Sequence, residues 1–434
     1  MNNLTRREFV YLMGTGATAL GTTAVLGDML PSHRTRDEIL NDALARIQQY
    51  RKGLLKLRVC DASGHPLPRA RVAVQMQQHA FGFGSAVTAR YLREDSSTGE
   101  IYRKTVREHF NRAVFENDLK VLPWRASQTN RHPSFRREWT LDALQWLREH
   151  DVAVRGHHLV CARLRPEQYR RLQGLSKSRL KQGIMEHLKD ILTALGPYVK
   201  EWDAINHLGV LDRSLETYMN DPRIYSEIIQ TARDMAPDTE MWVNEGTILA
   251  SRRRRRHYEN MIRTLCRTDA APDGIGLMGH FNAPRYPSVQ QLHQVLDRYA
   301  ALVPRLQITE LDIRTGGDEY AQAEYLRTLM TAAFSHPAVE SIMCWGFWAG
   351  RHPRPDAALF YRRNWTLKPA GAVWRELVFN EWWTDEVLHT DAEGYVSTHG
   401  FLGDYRIDVM HEGRTQQRNL ILVPQGLSET IVMG

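Results

Sequence analysis

Cysteine is scarce in this 434-residue chain. Cys60, Cys161, Cys266 and Cys344 are the whole complement, and no two form a Cys-x-x-Cys pair. The spacing gives no zinc finger and demands no disulfide. Cys161 and Cys344 lie in apolar strand-like runs and read as small buried hydrophobes. No heptad and no aromatic ribonucleoprotein motif accompanies the formal charge of +7, so nucleic acid is not an expected partner. No Gly-x-Gly-x-x-Gly follows the first strand, which argues against a dinucleotide fold. No stretch of about 20 strongly apolar residues reads as a membrane anchor. Nothing in the chain calls for a cofactor.

What is present is ordinary globular material, 42% hydrophobic and 25% charged, in a chain too long for one small domain. A pI near 9.2 favours anionic partners such as acidic glycans or membrane surfaces. At the N-terminus, Thr5-Arg6-Arg7-Glu8-Phe9-Val10 precedes a mild Gly/Ala/Thr-rich stretch from Tyr11 to Gly27. Paired arginines before such a stretch resemble a twin-arginine export signal over residues 1–30. This implies the Tat export machinery as a partner and a periplasmic or secreted destination. With no clear Ala-x-Ala site, uncleaved anchoring stays open.

Leu54–Val59 and Arg71–Met76 alternate like strands around turn chemistry at Asp61–Pro66 and read as a hairpin. Residues 31–83 are thus a connector and an N-terminal β-segment. Phe81–Ser85 reads as a lead-in to the next region. Short apolar strands then alternate with amphipathic helices to about residue 378. The strand candidates are 114–115, 153–156, 202–206, 241–244, 275–278, 306–313 and 341–347. Repeated βα units argue a parallel sheet, and their number a closed (β/α)8 TIM barrel over residues 84–378. Residues 379–434 read as short strands without helices. They are expected to pair with the N-terminal segment, giving one accessory β-sandwich from both chain ends.

In such a barrel, functional side chains sit at the C-terminal ends of strands. Glu310, His207, Asn206, His280, Glu245, His157 and Trp345 all fall there. The segments are Phe110-Asn111 with Glu116-Asn117-Asp118-Leu119-Lys120, Arg155–Val160, Trp202–Asn206, Gly274–His280, Ile308–Ile313, Trp345-Gly346 and Leu367–Ala370. In order and wording they resemble glycoside hydrolase family 10, the β-1,4-xylanase family, over about residues 80–378. The resemblance implies a retaining glycosidase, in which two carboxyl groups about 5–5.5 Å apart flank the scissile bond. It implies Glu310 as nucleophile and His280 as the group that orients it and keeps it ionised. It implies Asn206 at the sugar 2-hydroxyl, with Glu116, Asn117, Lys120 and His157 on the glycone hydroxyls. Trp345 would offer a ring face for stacking.

The departures from the family pattern fall in the site. The acid/base glutamate expected after Asn206 is His207. Cys161-Ala162 stands for Trp-His, Leu164 and Met278 stand for glutamines, and Glu245 stands for an aspartate. Three readings of His207 follow: it is the general acid; another group, Glu245 first, supplies the proton; or the donor is gone. Arg252–Arg256 form an unbroken basic run. It reads either as a solvated helix face or, with Arg163, Arg165, Arg351 and Arg354, as a rail for uronate-bearing glycans. His157 and His158 point to opposite strand faces, so no metal site is expected. Trp382-Trp383 reads as a packing junction. Asp312 shares a face with Glu310 and reads as a supporting or structural carboxylate. The expected function is retaining hydrolysis of a β-linked polysaccharide, xylan-like or acidic. The alternative is a catalytically impaired carbohydrate-binding pseudoenzyme in envelope or exopolysaccharide assembly.

Overall fold

A computed structural model describes residues 36–129, 132–164, 176–249, 251–284 and 286–434, with backbone only for 36–39. Residues 1–30, expected to be an export signal, and Arg165 lie outside the described residues. Helix Arg36–Tyr50 leads into β1 (Lys52–Cys60) and β2 (Arg71–His79).

The chain then lays down β3 (Gly82–Val87), β4 (Arg112–Phe115), β5 (Ala153–Gly156), a short β6 (Val160–Cys161) and β7 (Val199–Asn206). β8 (Glu240–Glu245), β9 (Gly274–Leu277), a short β10 (His280–Asn282), β11 (Leu306–Arg314) and β12 (Val339–Cys344) follow. Parallel pairing runs β3-β4-β5-β7-β8-β9, then β9 to β11, β11 to β12 and β12 back to β3. The eight strands close on themselves, as the count of βα units predicts. Barrel strands are covered on both faces, and eight of the nine residues of β11 are buried, its polar Gln307, Thr309, Glu310 and Asp312 included.

The expectation of a mere lead-in at Phe81–Ser85 is corrected: Gly82–Val87 is the first barrel strand. Its glycines hide it from pattern reading, and packing requires them. A Cβ at Gly84 would stand 2.3 Å from the Met343 sulfur and 2.5 Å from the Arg112 carbonyl oxygen.

The barrel interior carries a buried charge layer. Arg155 reaches Asp203 at 2.5 Å and Gln307 at 2.8 Å, and Arg112 and Gln307 both reach Glu201 at 3.0 Å. Buried charges persist when paired and hydrogen-bonded in this way. Asp203 also receives His157, so the layer holds up the site above it.

The N-terminal hairpin is corrected too. β1 and β2 lie in different sheets. β14 (Tyr395–Phe401), β1 and β17 (Leu427–Val432) form one sheet; β13 (Asp385–His389), β2, β15 (Gly403–His411) and β16 (Arg414–Leu422) form the other. Both strands carry an apolar face, Leu55-Leu57-Val59 and Val72-Val74-Met76, and the two faces share one core with Ile407, Val409 and Ile431. Pairing as a hairpin would set the two stripes side by side; crossing at Pro66–Pro68 sets them face to face. The expected union of the two chain ends holds: each N-terminal strand is flanked on both sides by C-terminal ones.

Arg51 ties the sandwich to the barrel. Its guanidinium donates to the carbonyls of Phe334, His336 and Val339 at 2.6–2.7 Å. Trp382 is buried and stacks on Phe334 at 4.2 Å, which makes it a packing residue. No two of the four cysteines are joined in a disulfide; Cys344 is buried and Cys161 half-buried. Among the described residues, no helix is long and apolar enough to cross a membrane.

Candidate active site

Glu310 is buried on β11, and both its oxygens are held. Its Oε2 lies 3.0 Å from His280 Nε2, and its Oε1 accepts from Asn244 Nδ2 at 3.1 Å. His280 opens β10, whose register places it beside Asp312. Its Nδ1 meets Asp312 Oδ2 at 2.6 Å, and the other Asp312 oxygen takes Arg354 at 2.7 Å. Glu310 and Asp312, two residues apart on one strand face, thus share one imidazole.

The electrostatics follow. Burial lowers His280, but hydrogen bonds to Asp312 and Glu310 outweigh it and raise its pKa to about 9. The ring is therefore an imidazolium at neutral pH and donates to both carboxylates. Burial raises Glu310, but the His280 hydrogen bond and the charges of His157, His280 and His207 outweigh that and hold it at about 2. A buried carboxylate kept ionised, with donors on both oxygens, is poised to attack an electron-poor carbon.

Asn244 is the residue that reading the sequence left without a role here. Its Nδ2 also donates to Asn206 Oδ1 at 3.1 Å, and its own Oδ1 accepts from Thr309 at 2.7 Å. One amide therefore fixes Glu310 and Asn206 together. The register sets Asn244 beside Asn206 across β7 and β8, so layering the strands by register is the signal that finds it.

His207 follows the end of β7 with a left-handed φ of +59°. Its backbone N–H donates to the Asn244 carbonyl at 2.8 Å. Its ring is a quarter exposed, and Nδ1 lies 3.4 Å from Glu245 Oε1. Glu245 has no exposed surface. The Gly246 N–H donates to it at 2.7 Å and Arg254 lies at 3.4 Å. Glu245 therefore stands behind His207, touching its ring rather than the open groove.

Trp345 is the hub for the remaining candidates. The His157 ring meets it edge-on at 5.1 Å, the His280 ring lies at 6.3 Å and the Lys120 ammonium at 5.9 Å. Lys120 donates to Asn117 at 3.1 Å, and His157 Nδ1 meets Asp203 at 2.7 Å. Glu116 pairs with Arg351 at 3.1 Å. Arg254, Arg351 and Arg354 are thus each committed to a site carboxylate. Arg252 and Arg253 stay exposed at the start of helix Arg252–Leu265, and Arg163 is exposed as well. Among the described residues, no group of three His, Cys, Asp or Glu side chains could hold a metal ion.

A closed parallel (β/α)8 barrel that carries an ionised carboxylate and its hydrogen-bonded imidazole at the strand ends has the build of a glycosidase. The chain belongs to glycosyl hydrolase family 10, which it matches over residues 73–376. Anti-sigma-I factor RsgI6 of Acetivibrio thermocellus is 30% identical over 382 residues, covering 86% of this chain and 47% of that protein. Endo-1,4-beta-xylanase 1 of Arabidopsis thaliana is 25% identical over 379 residues, covering 85% and 38%. The chain spans less than half the length of either relative. In three dimensions it resembles xylanase 10B from Thermotoga petrophila RKU-1 in complex with xylobiose. The TM-score is 0.61 at 23% identity, covering 70% of this chain and 95% of that one.

Proposed function

We propose that this chain hydrolyses a β-linked polysaccharide with retention, with Glu310 as nucleophile and His207, backed by Glu245, as acid/base. The observation that carries the reading is Glu310 held ionised between His280 and Asn244. In the first step a Glu310 oxygen bonds to the anomeric carbon and the glycosidic C–O bond breaks. Protonated His207 gives its proton to the leaving oxygen. In the second step His207 takes a proton from water, the water oxygen bonds to the anomeric carbon and Glu310 leaves as carboxylate. With Nδ1 turned to Glu245, Nε2 is the nitrogen left to exchange that proton.

Xylan-like or uronate-bearing chains are the substrate class the site suits. Three arginines stand at the site carboxylates. Arg252 and Arg253 lie exposed at a helix start with no acidic residue in its first turn, where the macrodipole disfavours cations. That unfavourable placement supports an anionic partner. The same proposal includes export, carried by Arg6-Arg7 and the stretch after them; Arg6→Lys with Arg7→Lys is expected to leave the precursor in the cytoplasm.

Turnover of an aryl β-glycoside, wild type against Glu310→Ala, tests the enzyme. Loss of turnover in the variant supports it. Equal inertness of both, with an oligosaccharide still bound, instead supports a glycan-binding role. That second reading draws on the missing second carboxylate and on the similarity to an anti-sigma factor. His207→Ala is expected to slow a natural polysaccharide on the order of 10²–10⁴-fold and an activated aryl glycoside less. Survival of the pH profile unchanged in that variant would remove His207 as the acid.

A further inference from the structure

At the opposite end of the barrel from Glu310, a cleft of about 410 Å³ opens between the barrel foot and the sandwich. It lies at the N-terminal ends of the strands, since Asn111 precedes β4 and Asp151 precedes β5. Its size is that of a small-molecule site, and a joint between two layers is a usual place for one. Three local irregularities converge on it. On β2, Asp404 faces Gln78 while Tyr405 faces Met76, so Gln77 is the extra residue of a β-bulge. The helix after the barrel ends in a π-turn over Leu377–Glu381 that carries Phe379. Asp151 sits at φ +54°. Bulges and π-turns re-aim side chains and gather at functional sites, and Asp151 is the left-handed residue that closes helix Arg137–Glu149, where the Val152 N–H donates to the Leu147 carbonyl at 2.9 Å. All three contribute to the wall of one cavity.

The lining also has a definite chemistry. Phe379 and Trp383 are half-buried, their rings 5.7 Å apart. Around them stand Gln77, Asp151, Asp404 and Arg107. Among the described residues, neither the Asp404 carboxylate nor the Arg107 guanidinium has a hydrogen-bond or ion-pair partner. Burial, then the charge of Asp151, pushes Asp404 above the usual carboxylate range, so the two carboxylates share this space. Ring faces beside amides and carboxylates suit the apolar face and the hydroxyl rim of a sugar. Asp151, Asp404 and Glu108 repel an anionic chain.

We propose that this cleft is a second carbohydrate-binding site, which takes an uncharged stretch of β-linked oligosaccharide and holds a polymer while the groove at the other end acts. It rests on the glycan reading of the groove for its polymer, but not for its own lining. Calorimetric titration of the Glu310→Ala chain with xylotetraose is the test. Two binding events are expected. Asp404→Arg, which fills the cleft, should remove one, and Trp345→Ala should remove the other. Phe379→Ala should weaken the cleft event about tenfold or more, with melting curves showing both cleft variants folded. Wild-type turnover of an aryl β-glycoside should be unchanged by Asp404→Arg. A single event that only Trp345→Ala removes overturns the cleft. A single event that only Asp404→Arg removes keeps the cleft and overturns the groove. Two events that persist in both cleft variants also overturn it.

Discussion

His280 touches Glu310 and Asp312 at once, and the pH behaviour of the site turns on that contact. Glu310, held at about 2 against an ordinary 4.5, contributes stability that is full above 4.5 and lost as pH falls toward 2. His280, raised to about 9 against 6.5, contributes stability that is full below 6.5 and lost as pH rises through 9. Their joint contribution is therefore complete between 4.5 and 6.5 and declines on both flanks. His280→Ala should flatten both flanks in urea midpoints measured against pH. It should also move the acid limb of aryl β-glycoside turnover up by about 1–2 units, because Glu310 loses its donor. An acid limb that stays in place would mean that Asn244 and His157 hold the carboxylate unaided. Glu245 is a positioning residue in this scheme: Glu245→Gln keeps the shape and removes the charge behind His207. It should cost about 10–100-fold in turnover of a poor leaving group and leave KM nearly unchanged. The positions of Glu310, His280, Asn206 and Trp345 were legible because each falls within an ordered series of segments. Asn244 was not, because its role comes from register with Asn206 rather than from its own neighbours in the chain.

The elements were legible where large apolar residues recur along them. β11 stands out because Leu306, Ile308, Leu311 and Ile313 recur through it, while β3 does not, because glycine at two of its first three positions leaves no pattern. The same glycines carry an element-level prediction. Gly84→Ala would set a methyl 2.5 Å from the Arg112 carbonyl oxygen, where backbone must shift rather than a side chain. The expected destabilisation is about 1–3 kcal/mol, read as a lower urea midpoint with an unchanged slope. A midpoint equal to wild type would show that β3 and β4 can part without cost. The mistaken hairpin has a similar source. Two alternating strands around a turn satisfy the local pattern of a hairpin and of a crossover between sheets alike. What separates them is whether the two apolar faces must lie side by side or face to face, and that depends on strands more than 300 residues away.

At the scale of the whole molecule, residues 52–79 and 385–432 fold together as one two-sheet sandwich. Among the described residues, the strands that pair with β1 are β14 and β17, and those that pair with β2 are β13 and β15. A chain ending at Asn380 would keep every barrel strand yet leave both N-terminal strands unpaired. It would uncover Leu55, Leu57, Val72 and Val74, all buried in the whole chain. It would also remove Trp382, which stacks on Phe334 at the barrel foot. Exposed strand edges with apolar faces associate. The truncated chain is therefore expected to aggregate on expression, although it contains the complete matched region 73–376. Removing residues 36–80 as well should restore solubility, because it takes away the stranded edges with their partners. It would also remove Arg51, whose guanidinium occupies the carbonyls of Phe334, His336 and Val339. Those carbonyls would then turn to water, and the bare barrel should melt below the whole chain by several degrees, consistent with about 1–3 kcal/mol. Size-exclusion profiles and melting curves of the three chains check the order. A soluble, monomeric chain ending at Asn380 would show that the N-terminal strands find other partners, and that the sandwich is an appendage rather than a support of the barrel.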